Sequence, residues 1–303
     1  MKDEVFIEVI LDIPRERSLE VTPLLDNGIL EKMTGYFEVL YEEGLRSDRS
    51  VMKLYFPAGY SMARWDLESL LLSIGFDDYV IAESSVNRQN YMEAYKEHYE
   101  PLRLSDHFGV VPNWHRGTPK ESEFVAQFSD GFIPLYLDPG LAFGTGRHAT
   151  TQMMVQFIDA HCFEGKTVLD AGCGSGILAL AALKKGAKYA TGFDIDGNAV
   201  NASRENLLEN GIAPDRFEIL EGGWDLPQIQ SRRYDVILAN ITMNIFVEYR
   251  RIIDGLNCDR LVVSGVLEEA RDAFMRLFGE SWNCHEQKTD DGWILLDLHR
   301  QEH

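Results

Sequence analysis

The segment Val168-Leu-Asp-Ala-Gly-Cys-Gly-Ser-Gly176 restricts the architectures open to this chain. A short apolar run ends in an acid and passes into alternating glycines. The apolar stretch that follows has helical length. Strand, glycine-rich turn and helix in that order is the opening unit of a parallel α/β sheet. Glycine has no Cβ, so the turn can take positive φ and lie close to a ligand. The order Asp170-x-Gly172-x-Gly174-x-Gly176 suits S-adenosylmethionine better than a dinucleotide. A dinucleotide fingerprint places its third glycine at position 177, which is Ile177. Asp170 can accept from the ammonium of the cofactor's amino-acid end.

Two further strand ends carry polar side chains. Tyr189-Ala-Thr-Gly-Phe-Asp194 reads as a second strand, with its acid 22 positions after Gly172. A carboxylate there is placed for both ribose hydroxyls. Asp196 is read as the cap of the next helix. Tyr234–Asn240 reads as a fourth strand, with Asn240 at its carboxyl end, where open α/β sheets bind ligands. Glu221-Gly-Gly-Trp224 follows the third strand. There Glu221 is expected near an adenine amine and Trp224 against the ring. Cys173 fits a small apolar residue in a tight turn.

Leu137-Asp-Pro-Gly-Leu-Ala-Phe-Gly-Thr-Gly-Arg-His-Ala-Thr-Thr151 resembles the ribosomal protein L11 methyltransferase family. The resemblance continues through the glycine-rich turn, Asp194-Ile-Asp196, Ala239-Asn240-Ile241 and Ser264-Gly265-Val266-Leu267, and covers roughly residues 90–300. It implies a cytoplasmic protein N-methyltransferase that takes methyl from S-adenosylmethionine. The implied acceptors are the α-amino group and lysines of L11. Positions matching Thr151, Gly172, Asp194 and Asn240 contact the cofactor in that family. We also place Phe143, Gly144, Gly174, Gly176, Asp170 and Glu221 in the cofactor set, and Asn240 as the catalytic residue acting on the acceptor amine. The chain departs from the family pattern at Arg147, Ala149, Thr242, Asn257-Cys-Asp259 and Ala270. These departures keep open another lysine protein or a small amine as acceptor, and a non-catalytic cofactor-binding module.

Length and charge set the remaining bounds. The 303 residues allow two domains. The formal charge of −20, from 29 basic and 49 acidic residues, weighs against a phosphate-backbone partner and fits a basic protein substrate. The four cysteines are widely spaced with no Cys-x-x-Cys, which weighs against a disulfide framework or a zinc site. No metal is expected. The amino terminus has no apolar signal core and no run long enough to span a membrane is present. Monomeric behaviour is expected.

The chain divides into three stretches. Residues 1–87 read as β-α-β-β-α-β, a ferredoxin-like recognition domain, with helices around Leu19–Met33 and from Trp65. Residues 88–115 read as a linker helix bearing Tyr91, Tyr95 and Tyr99, then a strand. Residues 116–303 read as a doubly wound, Rossmann-like class I methyltransferase sheet starting near Phe132, after a polar loop, and closing in a hairpin. Thr150 or Thr151 is expected to cap the helix that follows the glycine-rich loop, and His148 to be a structural hydrogen-bonder.

Overall fold

The computed structural model describes residues 5–17, 21, 35–40, 48–57, 59–87, 96, 99–128, 131–138 and 144–301. The chain forms two compact units, Met1–Tyr99 and Glu100–His303.

In the first unit, β1 (Val5–Pro14), β2 (Gly35–Leu40), β3 (Arg49–Pro57) and β4 (Val80–Asn87) make one antiparallel sheet in the order β2-β3-β1-β4. Helix α1 (Ala63–Ser73) crosses between β3 and β4. Its buried Ala63, Leu67 and Leu71 recur four apart and pack on Val9, Leu11, Ile13, Met52, Leu54 and Phe56. Four-residue spacing puts these side chains on one helical face. Truncating Leu67 to Ala would remove about 2–5 kcal/mol of this packing. Apart from Val21, the expected helix around Leu19–Met33 lies outside the described residues, as does most of the linker helix.

The second unit begins with β5 (Leu102–Arg103), β6 (Phe108–Pro112), α2 (Pro119–Val125) and β7 (Ile133–Leu137). Here two expectations change. The segment 116–130 is not all loop. Pro119 starts α2, where its missing N–H costs nothing, and Phe124 is that helix's one buried side chain. A single apolar residue gives no periodicity to read. The strand after Phe132 does not open the doubly wound sheet. It pairs in parallel with β6 in a separate sheet, β5-β6-β7. A Cβ on Gly109 would lie 2.8 Å from the Phe124 ring, so the bare backbone of β6 admits that side chain.

The main sheet follows. Its strands are β8 (Thr167–Ala171), β9 (Tyr189–Asp194), β10 (Phe217–Glu221), β11 (Arg233–Asn240), β12 (Asn257–Leu267), β13 (Trp282–Asp290) and β14 (Trp293–Arg300). Its helices are α3 (Ala149–Ala160), α4 (Ile177–Lys184), α5 (Gly197–Glu209), α6 (Pro227–Gln230), α7 (Met243–Gly255) and α8 (Arg271–Phe278). The order is β10-β9-β8-β11-β12-β14-β13, with β8 to β12 parallel and the last two strands antiparallel. Both faces are buried. Val236 and Leu238 belong to the core on one side, Ile237 and Ala239 to the core on the other. Period-two alternation between two buried faces produces the continuous apolar run seen in the sequence. The β13–β14 hairpin turns at Asp291 and Gly292, both at positive φ (48° and 74°), as its two-residue turn requires. The chain reverses direction across the sheet between β8 and β11, which places a crevice at their carboxyl ends.

Candidate cofactor and acceptor site

The glycine-rich turn leaves β8 with Gly172, Gly174 and Gly176 all left-handed, at φ 67°, 52° and 78°. Space as well as conformation demands glycine. A Cβ on Gly172 would come within 2.7 Å of Ile241 Cγ2, and one on Gly176 within 3.1 Å of the Ser203 backbone. Helix α5 holds the turn from beneath. Ser203 Oγ donates to the Gly174 carbonyl (2.8 Å), and Asn206 Nδ2 to that of Ser175 (2.9 Å). Ser175 Oγ in turn donates to the Gly144 carbonyl (2.7 Å), which ties the preceding loop to the turn. Ser203 and Asn206 escaped the sequence reading. Their signal is two buried polar residues three apart, within the apolar stripe of α5. Burial pushes the Cys173 thiol up, so it has no thiolate to offer as a nucleophile.

The acids divide by depth. Asp170 is 1% exposed, and its Oδ2 accepts the Ala179 N–H of α4 at 2.9 Å. Burial pushes its carboxyl up to about 7. The Ala179 hydrogen bond opposes that, and the charge of Asp194 adds to it. Asp194 stands half-buried at the tip of β9. Its Oδ2 accepts from Gly174 N (2.9 Å) and its Oδ1 from Asp196 N (3.0 Å). Asp196 caps α5 through Asn198 N, as expected. Glu221 is exposed one strand further out, in register with Asp194 and bordering Gly197.

Trp224 does not cover the site. It is 2% exposed and packs edge-on against Phe193, with ring centroids 5.1 Å apart, because the core of that face takes the indole. The exposed apolar side chain at this edge is instead Ile195, 82% exposed between the two acids. In the sequence, Asp194-Ile-Asp196 points to its acids, and nothing local marks the isoleucine as exposed.

Asn240 ends β11, and its Nδ2 donates to Thr151 Oγ1 at 3.4 Å. Thr151 is buried in the first turn of α3. That helix starts at Ala149, so its cap is His148 rather than either threonine. His148 Nδ1 accepts from Thr150 N (3.3 Å). Gly265 sits at φ 81°, where a Cβ would meet the Ile241 carbonyl oxygen at 2.5 Å. The Ser264-Gly265 pair thus gives the backbone after Asn240 room to pass. The structure brings Gly144, the three turn glycines, Asp194, Asn240 and Thr151 to the carboxyl edge of the sheet, with Asp170 beneath. Phe143 lies outside the described residues.

These residues fit S-adenosylmethionine. A side-chain-free turn admits the amino-acid end. A half-buried acid at a strand tip is of the kind that suits ribose hydroxyls. An exposed isoleucine offers an apolar contact beside it.

Comparison with known proteins agrees. The profile of the family described as Ribosomal protein L11 methyltransferase (PrmA) matches residues 13–301. The ribosomal protein L11 methyltransferase of Leptospira interrogans is 30% identical over an alignment of 308 positions, covering 97% of this chain and 98% of that protein. The one from Chromobacterium violaceum is 37% identical over 217 positions, covering 70% of this chain and 66% of its own. The crystal structure of a ribosomal protein L11 methylase from Lactobacillus delbrueckii subsp. bulgaricus superposes with a TM-score of 0.58 at 29% identity, covering 67% of this chain and all of that one. The chain belongs to the ribosomal protein L11 methyltransferase family and is an S-adenosylmethionine-dependent class I methyltransferase.

Proposed function

We propose that the protein N-methylates ribosomal protein L11, at its α-amino group and lysine side chains, with Asn240 acting on the acceptor amine. The observation that carries this reading is the meeting of Asn240 with Thr151 at the sheet edge that also holds the glycine-rich turn and Asp194. The cofactor supplies a methyl group on a sulfonium whose departure leaves a neutral thioether. Asp194 accepts the ribose hydroxyls while its own backbone bonds fix its orientation. Asp170 takes the ammonium's charge from beneath the turn. Gly144, Thr151 and Phe143 belong to the cofactor set, and Glu221 lies toward the adenine.

With Nδ2 committed to Thr151, Asn240 presents its side-chain oxygen to an amine N–H. The Ile241 carbonyl takes a second N–H, which turns the nitrogen lone pair toward the methyl carbon. Positioning of this kind is the main contribution a protein can make to a direct displacement. The attacking amine must be neutral. Withdrawal from water lowers an ammonium pKa, so the site favours proton loss to solvent. Asp170 is not the base, because it is buried and bonded to Ala179.

In this reading residues 1–87 form a ferredoxin-like domain that recognises the substrate, 88–115 link, and 116–303 catalyse. The enzyme works as a cytoplasmic monomer, without direct contact to nucleic acid or membrane. The acidic charge of −20 speeds encounter with a basic protein substrate. Among the described residues no helix is long and apolar enough to cross a membrane. The test is intact-mass spectrometry of L11 from the same organism, incubated with the enzyme and S-adenosylmethionine. Steps of about 14 Da, the mass of one added methyl, are expected and should vanish with Asn240→Ala. Cofactor binding without added mass on L11 would overturn the acceptor assignment.

A further inference from the structure

At the far end of α3, away from Thr151, three side chains of metal-ligating type converge. His161 follows the last turn of α3, Glu286 lies on β13 and Asp297 on β14. One ligand atom from each lies within 4.8 Å of the other two. We propose that His161, Glu286 and Asp297 bind a divalent cation of the Zn2+ class, clamping the end of α3 to the β13–β14 hairpin.

Three features make the cluster a prepared site. The first is the histidine. His161 Nδ1 lies 2.8 Å from the Phe157 carbonyl, which can only accept, so Nδ1 carries the proton. Neutral His161 therefore holds its lone pair on Nε2, the nitrogen that faces Glu286 Oε2 at 3.6 Å. Anchoring one ring nitrogen to a carbonyl is how metal-binding imidazoles are oriented. The ring is also stacked on Phe157, with centroids 4.0 Å apart and planes 25° apart, so little freedom remains to lose on binding.

The second feature is the setting of Asp297. It is buried, and Arg260 holds its carboxylate in place with two bonds of 2.7 and 2.8 Å. Each carboxylate oxygen has two lone pairs, so Arg260 on one side leaves room for an ion on another. His299 Nε2, 3.2 Å from Oδ2, further fixes the group. The third feature is charge and reach. The cluster sets two carboxylates, Glu286 and Asp297, against one guanidinium, Arg260. Tetrahedral zinc with bonds of about 2.0–2.1 Å needs ligand atoms roughly 3.4 Å apart; the His161–Glu286 pair already stands at 3.6 Å, and all three atoms lie within 4.8 Å, so the set closes on an ion by side-chain adjustment. Water fills the fourth position. An imidazole beside two carboxylates favours zinc over the all-oxygen preference of magnesium or calcium.

The full-length protein, stripped with chelator, would be titrated with Zn2+ alone against a chromophoric competitor, and its melting temperature followed. One Zn2+ per chain and a raised melting temperature are expected. His161→Ala and Glu286→Gln, both at partly exposed positions, should each weaken binding about tenfold or more and abolish the shift. His285→Ala, whose ring stacks on His299 at 4.0 Å outside the ligand set, should bind as wild type. The proposal is overturned if wild type binds no zinc, if both ligand variants bind normally, or if His285→Ala alone loses the ion. Equal affinity for Mg2+ would also overturn it. Methyl transfer does not enter the assay, so its outcome is independent of the proposed activity.

Discussion

Asn240 and Thr151 stand 89 positions apart in the chain, yet the amide Nδ2 donates to the threonine hydroxyl at 3.4 Å. The contact joins the end of β11 to the first turn of α3, with the amide oxygen on the side away from Thr151. If the remaining oxygen orients the acceptor amine, Asn240→Ala should lower kcat about 10²–10³-fold, the usual cost of removing one preorganised polar group. The cofactor Kd should change much less. Thr151→Val should lower kcat more modestly, and Thr151→Ser should restore it. Single-turnover kinetics alongside calorimetric cofactor binding separates the two effects, and equal losses in binding and rate would refute the orienting role.

The glycine-rich turn makes a steric prediction. Gly172→Ala must hold a Cβ at φ 67° and 2.7 Å from Ile241 Cγ2. Strain of that kind costs about 1–3 kcal/mol. Gly211→Ala meets nothing within 4 Å at φ 74°, so it reports the cost of conformation without the clash. Denaturant unfolding should rank Gly172→Ala as the more destabilised variant, and it should also bind cofactor more weakly, whereas Gly211→Ala should bind as wild type.

Asp194 supports the turn and is expected to hold the cofactor. An asparagine there has only one acceptor atom for the two N–H groups, from Gly174 and Asp196. Charged hydrogen bonds contribute about 1.5–3 kcal/mol, so Asp194→Asn should raise the cofactor Kd roughly 10–150-fold. Asp196→Ala removes a helix cap and should cost about 1 kcal/mol of stability, with little change in cofactor affinity. Isothermal titration and urea unfolding of the two variants check the contrast.

Asp170 makes stability depend on pH. Folded, burial raises its carboxyl to about 7, while in the unfolded chain it titrates near 3.8. The native state therefore binds the extra proton between these values. The contribution is complete below about pH 4 and is lost as pH rises to about 7. A shift of this size corresponds to a few kcal/mol in order of magnitude. Without added cofactor, the wild-type melting temperature should fall between pH 5 and pH 8. Asp170→Asn keeps an acceptor for the Ala179 N–H but has no proton to lose, so its profile should be flatter. Parallel profiles would show that Asp170 does not titrate in this range.

The sequence by itself determined the strand-turn-helix order around Gly172–Gly176, the acid at the end of β9, the amide at the end of β11 and the closing hairpin. Each is written in local spacing: apolar runs of strand length, glycines where φ must be positive, and polar residues where a strand stops. Tertiary structure decided the rest, because burial and pairing depend on residues distant in the chain. It placed Ile133–Leu137 beside β6 instead of β8. It turned Trp224 into the core against Phe193 and left Ile195 at the surface. It bonded Asp170 to Ala179, and it brought His161, Glu286 and Asp297 together from three elements. No local periodicity encodes which side chain fills a gap left by another segment. Such choices follow from the packing and hydrogen bonding of the assembled sheet and its helices.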